Sequence, residues 1–127
     1  GQDRSFLFFV TQNNLEYFEL PSRQLLEEQV RQTLENLKAR AQSSEGETAL
    51  QRETRLKKAD LDTEKNLAET SQMLLAPVVN KIQSKRLLIV ASGILQYLPF
   101  AALPNPAVKS EKRYLIETNE IINLPSA

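Results

Sequence analysis

The stretch RLLIVASGILQYLPFAALP, residues 86–104, decides the fold, because it is the densest apolar segment of an otherwise polar chain. Its first part, Leu87–Val90, is a run of four branched residues without polar alternation. A strand with one buried face alternates apolar and polar residues, whereas a strand covered on both faces, usually by helices, is apolar throughout. The stretch therefore predicts an interior strand with other layers packed on both of its sides.

The residues after this strand predict a turn and a less regular apolar arm. Ser92 and Gly93 predict a tight turn, since glycine accepts positive φ angles. Residues 94–98 and 100–103 are mostly apolar and are separated by Pro99, which predicts a short return arm followed by an irregular connection. The final stretch, RYLIETNEIINLPSA at residues 113–127, predicts another strand. Its apolar positions are Tyr114, Leu115, Ile116, Ile121, Ile122 and Leu124.

The N-terminal segment predicts a β-hairpin. Residues 5–11 are rich in aromatic and β-branched side chains, and residues 12–14 supply the turn, because asparagine tolerates positive φ angles. The second arm covers residues 15–20 and stops at Pro21. Aromatic residues at strand spacing predict core side chains rather than a base-stacking platform, because no Arg or Lys alternates with them. These residues are Phe6, Phe8, Phe9, Tyr17 and Phe18.

Two helical segments follow from the spacing of apolar residues. Ser22 is a suitable N-cap for a helix that runs to about Arg40. Pro77 lies inside the second segment, where it either kinks the helix or occupies the first turn of a separate short one. The apolar stripe of the first helix is Leu26, Val30, Leu34 and Leu37, and that of the second is Leu67, Ser71, Leu74, Val78 and Ile82.

Residues 42–64 predict a polar, flexible insertion, because charges of both signs surround scattered leucines that form no sustained face. Within it Asp60, Asp62 and Glu64 alternate as calcium ligands do, but Lys65 stands where a calcium loop needs its glycine. A solvated run of charges is the favoured interpretation.

The hairpin, the helices and the doubly covered strand together predict an α/β domain with helices packed on a mainly parallel sheet.

The composition excludes several functional classes. Sixteen acidic and sixteen basic residues balance, which removes the electrostatic argument for nucleic acid or an anionic membrane as a partner. Without an apolar run of ~18 residues or the features of a signal peptide, the chain is expected in the cytoplasm. The chain contains neither His nor Cys. Their absence excludes Cys–His, Ser–His–Asp and His-based metal chemistry within the chain. We predict no catalytic, cofactor-binding or metal-ligating residue in it, and no cofactor.

Short motifs in the second half resemble a known family. They are LPFAAL at residues 98–103, YLIE at residues 114–117 and LPSA at residues 124–127. Together with the preceding apolar strand they resemble the N-terminal half of a CHAT domain, the bacterial caspase-like module often found beside tetratricopeptide repeats. The opening SFLFFVT…LEYFELP also resembles the start of that family, so the resemblance covers the chain except for roughly residues 42–64. Ser92 departs from the family pattern, which commonly has Asp before the glycine.

The resemblance implies a fold and a setting. The fold is a partial caspase-like three-layer α/β/α sandwich with an N-terminal β-hairpin and two main helical segments, and residues 1–127 form the N-terminal part of a single domain. Clan CD enzymes such as caspases, gingipains and separase cut peptide bonds with a Cys and a His. The family pattern places both downstream of LPSA. We therefore expect a scaffold half that is catalytically inactive alone, from a parent protein that is a candidate cysteine endopeptidase.

The partners implied are protein or peptide substrates of the parent protein and adjacent tetratricopeptide repeats. Self-association of the fragment is also expected, by pairing of sheet edges or by strand exchange. A non-catalytic protein–protein interaction module that keeps the caspase-like fold is the alternative, and the sequence beyond Ala127 separates the two. A more remote third interpretation is that the chain is an unrelated small α+β domain, which would require it to be monomeric with a closed core.

Overall fold

The computed structural model describes residues 3–41, 46–83, 85–107 and 114–124, which form a mixed α/β structure with two small sheets. The N-terminal hairpin is confirmed. Its strands are β1 (Ser5–Val10) and β2 (Leu15–Leu20), which pair antiparallel with Ser5 opposite Leu20 and Val10 opposite Leu15. The turn is closed by a hydrogen bond from the Thr11 amide to the Asn14 carbonyl at 2.9 Å.

Helix α1 (Arg23–Ala41) begins and ends close to the predicted residues. The Ser22 hydroxyl accepts a hydrogen bond from the Leu25 amide at 3.3 Å, as an N-cap does. Leu26 and Val30 are buried, as the stripe predicts, and Leu34 packs against the core from a partly buried position. Polar Thr33 lies in the same stripe and is also fully buried.

Helix α2 (Ala49–Leu75) corrects the prediction of a loop over residues 42–64. Residues 49–64 are helical, and residues 42–45 lie outside the described part of the chain. The helix begins with a capping box, in which the Thr48 hydroxyl accepts from the Gln51 amide and the Gln51 side chain accepts from the Thr48 amide. Ala, Leu, Gln, Glu, Lys and Arg dominate this segment and all have high helix propensity, so an exposed helix forms without a continuous apolar face.

The second apolar stripe is confirmed over its whole length. All five of its members are buried, namely Leu67, Ser71, Leu74, Val78 and Ile82. Pro77 lies in the first turn of a separate 3₁₀ helix (Ala76–Val78), which is the second of the two predicted alternatives. The chain therefore changes helix type at the proline, where the missing N–H would otherwise break the α-helical ladder.

Strands β3 (Leu87–Val90) and β4 (Ile121–Leu124) pair in parallel, with Leu87 opposite Ile121 and Val90 opposite Leu124. The prediction that β3 is covered on both faces is wrong for this chain. Leu87 and Ile89 pack against the core, but Leu88 and Val90 are 61% and 62% exposed. The helical layer covers one side of the strand pair, and no described residue supplies a layer for the other.

The connection between these strands is irregular, as predicted, but it contains short helices in place of the predicted return arm. Residues Gly93–Tyr97 and Phe100–Ala102 form 3₁₀ helices, and Leu115–Thr118 form a short helix, α3, in place of the first part of the predicted C-terminal strand. Gly93 has a φ of 61°, which confirms it as a positive-φ turn residue. Pro99 supplies no N–H for a sheet ladder, and its neighbours become buried as short helices instead.

The core of the described residues lies where α1, α2 and the β3–β4 connection meet. Its buried apolar members are Leu20, Leu26, Val30, Leu67, Leu74, Leu75, Val78, Ile82, Leu98, Phe100, Leu103 and Leu115. Leu98, Phe100 and Leu103, from the apolar stretch that follows β3, are therefore buried by other residues of this chain. None of the described helices is long and apolar enough to cross a bilayer.

We predict that Leu103→Ala lowers the free energy of unfolding by about 2–5 kcal/mol, because it leaves a cavity in a fully packed position. Leu103 has no exposed surface. Leu61→Ala is the matched control, since Leu61 is exposed on α2, and it should change stability by about 0.5 kcal/mol or less. Urea unfolding followed by circular dichroism measures both. Equal effects of the two substitutions would contradict the core described above.

Candidate functional surfaces

The acidic residues that alternate like calcium ligands lie on a helix. Asp60, Asp62 and Glu64 are all in α2, and the Asp60 carboxylate forms an ion pair with Arg40 of α1 at 2.7 Å. Consecutive members of this set are two residues apart and therefore point to different sides of the helix. Within the described residues, no three His, Cys, Asp or Glu side chains are grouped so that they could hold a metal ion. The notable features of the fold are its apolar faces and its buried polar networks.

The first face belongs to the parallel strands and is called here the outer sheet face. In a parallel pair, residues in register point to the same side of the sheet. Leu88 is in register with Ile122, and Val90 is in register with Leu124. The side turned away from the helices thus carries four apolar residues, whereas the solvent side of a finished sheet is usually polar. Among the described residues, β3 and β4 pair only with each other.

Asn119 holds the starts of both parallel strands together. It is buried just before Glu120, the residue that precedes β4, and its side-chain amide donates to the carbonyl oxygens of Ile82 at 2.5 Å and Lys85 at 2.8 Å. These carbonyls belong to the segment that leads into β3. The backbone continues this link, since the Leu87 amide donates to the Glu120 carbonyl at 2.8 Å. One asparagine therefore sets the relative position of the two strands.

A chain of hydrogen bonds fixes the orientation of Asn119. Its side-chain carbonyl oxygen accepts from the Thr118 hydroxyl at 2.7 Å, and that hydroxyl accepts from the side-chain amide of Asn105 at 3.0 Å. The side-chain carbonyl oxygen of Asn105 accepts from the backbone amide of Ala107 at 2.9 Å. Because both donors and the acceptor of the Asn119 amide are occupied, its burial carries no unsatisfied polar atom.

A second buried network joins α1 to α2. The hydroxyls of Thr33 and Thr70 lie 2.9 Å apart. The side-chain amide of Gln29 donates to the Thr70 hydroxyl at 3.2 Å and to the backbone carbonyl of Asn66 at 3.3 Å. Sequence reasoning missed these residues because they are polar. Their spacing could have predicted their burial, because they lie on the apolar stripes of their helices. Thr33 follows Val30 by three residues, and Thr70 and the likewise buried Thr63 flank Leu67 at helical spacing.

The LPFAAL motif serves the fold in the described part of the chain. Its Leu98, Phe100 and Leu103 side chains are buried, and the Leu103 carbonyl accepts from the Leu115 amide at 2.8 Å. The next residue is tied to α2, because the Ser71 hydroxyl donates to the Pro104 carbonyl at 2.5 Å. The YLIE motif forms most of α3, and of the LPSA motif only Leu124 is among the described residues.

The second apolar face belongs to the hairpin and is called here the hairpin outer face. It carries Phe6, Phe8 and Val10 from β1 and Leu15 and Tyr17 from β2, all 40% to 69% exposed. The core prediction for the aromatic residues is therefore wrong for three of them. Phe9 and Phe18 pack against the core on the other side, but Phe6, Phe8 and Tyr17 face outward. Strand alternation separates the two groups because every second residue turns to the opposite face.

The aromatic rings of this face contact one another. The centroid of the Tyr17 ring lies 6.3 Å from the ring centroids of both Phe6 and Phe8. The rings of Phe6 and Tyr17 meet edge to face. At the open end of the hairpin, the Arg4 guanidinium lies 5.1 Å from the centre of the Phe6 ring. Arg4 also forms a two-pronged ion pair with Glu19, at 2.8 Å and 3.2 Å. These hydrogen bonds, and then the charge of Arg4, hold the pKa of the Glu19 carboxyl below its usual value.

A small cavity lies between the hairpin, the start of α1 and the turn after β3. Its volume is about 90 Å³, and Ser5, Leu26 and Gly93 are among its lining residues. Arg23 and Glu27 also line it and form an ion pair with each other at 2.9 Å. Small-molecule sites usually occupy about 300–1,000 Å³, so this cavity is too small for an organic substrate.

The comparison with protein families identifies the second half of the chain. The model of the CHAT domain matches residues 64–127, which is half of the chain. The chain belongs to the CHAT domain family. This is a caspase-like, peptidase-associated domain family, so the suspected resemblance is confirmed in part of the chain. Neither the curated proteins nor the solved structures contain a match.

The family match has a clear position on the fold. It begins in α2 at Glu64 and includes β3, the LPFAAL motif, α3 and β4. The hairpin and α1 lie before it, so the resemblance of the first residues to the start of the family is not supported by this match. The outer sheet face and the Asn119 network thus belong to the CHAT-like part, and the hairpin outer face lies outside it.

We predict that Asn119→Ala lowers the free energy of unfolding by about 1–3 kcal/mol, because it leaves buried carbonyls of the β3 approach without a donor. Amide hydrogen exchange of β3 should accelerate more than that of α1. Asn123→Ala is the control, since Asn123 is exposed on β4 and its loss should cost about 0.5 kcal/mol or less. An Asn119 variant as stable as the Asn123 variant would rule out a strand-positioning role.

Proposed function

We propose that this chain is the scaffold half of a bacterial, cytoplasmic caspase-like cysteine peptidase domain of clan CD and is catalytically inactive by itself. It supplies two parallel strands, one helical layer and the buried networks that fix them. The catalytic His and Cys would come from parts of the parent protein outside these residues, since this chain contains neither. The proposed partners are a protein or peptide substrate and adjacent tetratricopeptide repeats.

The observation that carries this proposal is the outer sheet face. Leu88, Val90 and Leu124 are exposed side by side on a parallel strand pair, and parallel strands are normally covered on both faces. Covering helices and further parallel strands would make this pair part of a three-layer sandwich. Membership in a caspase-like family supports the same architecture.

The proposed mechanism assigns no chemical step to the residues of this chain. In the parent domain a cysteine thiolate would attack the scissile carbonyl, backbone N–H groups would stabilise the oxyanion, and imidazole would protonate the leaving amine. Functional groups of open α/β sheets lie at the carboxyl ends of the strands. This chain would therefore contribute the ends of β3 and β4 as part of the wall of a substrate groove.

The alternative is a protein–protein interaction module that keeps the fold without the chemistry. The absence of His and Cys from these residues is compatible with both functions. The discriminating observation is the native gene beyond the codon for Ala127. An apolar strand ending in His and a later one ending in Cys would support the peptidase, and replacing that Cys with Ser should then abolish peptide cleavage by the whole protein. A continuation without such a pair would favour the interaction module.

Site-specific labelling tests whether the outer sheet face is covered in the parent protein. We predict that Leu88→Cys reacts with a maleimide at least about tenfold more slowly in the parent protein than in the 127-residue chain, because buried thiols react only after local opening. Leu50→Cys is the control, since Leu50 is exposed on α2 and should react at similar rates in both. Mass spectrometry of the labelled peptides distinguishes these thiols from any native one. The labelling is done at a concentration low enough for the 127-residue chain to be monomeric, so that self-association does not protect Leu88→Cys. Equal rates for Leu88→Cys in both proteins under these conditions would overturn the proposed second layer.

The 127-residue chain alone should self-associate through the same face or its open strand edges, as expected for an apolar sheet without its cover. Leu88→Glu places a charge in the middle of the face and should reduce the average mass measured by light scattering. Leu50→Glu on α2 should leave the mass unchanged. A monomeric wild-type chain at high concentration would refute association through this sheet.

A further inference from the structure

The hairpin outer face is a second exposed apolar surface that the proposed peptidase scaffold does not explain. It lies on a different sheet from β3 and β4 and outside the part of the chain that matches the family. Aromatic side chains of this kind present roughly 150–250 Å² each when fully exposed, so five large residues at this exposure leave on the order of 500 Å² of apolar surface. Monomeric proteins rarely expose a larger contiguous patch without a binding function.

We propose that the hairpin outer face binds a second copy of this chain, face to face about a two-fold axis that runs along the strands. Such an axis places β1 of one copy over β2 of the other. Phe8 then lies opposite Tyr17 of the second copy, and Val10 lies opposite its Leu15. Two aligned sheets of this kind pack about 10 Å apart with their strands within about 30° of each other.

The charges at the open end of the hairpin fit this arrangement. Arg4 and Glu19 lie side by side at one end of the face, and the turn at residues 12–14 is uncharged. The two-fold axis brings each Arg4 next to Glu19 of the other copy, so that four charges alternate in sign. The pair within one chain uses Nε and Nη2 of Arg4, and its Nη1 donors remain for the second carboxylate.

The area and the net charge are compatible with a weak dimer. Two hairpin outer faces would bury about 1,000 Å² of apolar surface before the charged rim is counted, which is near the lower limit of specific interfaces. The chain carries no net charge, so no overall repulsion opposes the approach of a second copy. The hairpin contact is isologous, so by itself it closes as a dimer.

A charge-swap experiment tests this arrangement independently of any association through β3 and β4. Arg4→Glu and Glu19→Arg each place like charges across the proposed interface, so each variant should dimerise at least about tenfold more weakly than the wild-type chain. An equimolar mixture of the two variants restores every opposite-charge contact between copies. We expect the mixture to form a heterodimer, detected by analytical ultracentrifugation with one variant fluorescently labelled.

Recovery in the mixture shows that both variants are folded, because misfolded chains would not complement each other. Leu88→Glu, on the outer sheet face, is the matched control and should leave the hairpin-mediated dimer intact. Measurements extend to about 1 mM protein, where even weak pairs are populated. A mixture that associates no better than its separate components would overturn the proposal and assign the face to a different chain. A wild-type dimer that Leu88→Glu abolishes and the hairpin variants leave unchanged would overturn it as well.

Discussion

The parallel pairing of β3 with β4 is the constraint on which the CHAT-like half depends. Parallel strands cannot be joined by a tight turn, so the chain must leave the end of β3 and return to the start of β4. The two 3₁₀ helices and α3 make this return, and their buried residues Leu98, Phe100, Leu103 and Leu115 form one side of the core. The LPFAAL motif is thus explained by the requirement to fill the space under a parallel strand pair.

Buried polar side chains position the elements that this apolar packing holds together. Apolar contacts have little directionality, whereas a buried amide has fixed donors and an acceptor that must all be occupied. Asn119 therefore determines where the approach to β3 lies relative to β4, and the Thr33–Thr70 contact determines how α1 lies against α2. Ser71 adds a third fixed point by holding Pro104. Each network links segments that are more than thirty residues apart along the chain.

The two apolar faces differ in what surrounds them. The outer sheet face is flanked by strand edges without partners among the described residues, which is the situation of a sheet that lacks further strands. The hairpin outer face has an ion pair at its open end and a polar turn at the other. A polar rim around an apolar centre is typical of interfaces between separately folded proteins. The first face therefore suits completion by the same domain, and the second suits contact with another copy.

The sequence by itself determined the elements whose signal is local. Aromatic and β-branched residues beside the asparagine turn predicted the hairpin. Spacings of three and four residues predicted α1 and the stripe ending at Ile82, and the motifs predicted the family. It did not predict the first half of α2. That part of the helix forms through its capping box and its high helix propensity, and it has no apolar stripe by which a helix could be recognised. Tertiary structure alone decided which aromatic residues face the core and that Leu88 and Val90 lack a cover. An apolar run specifies that a strand should be covered, but the layers present in space decide which face is covered.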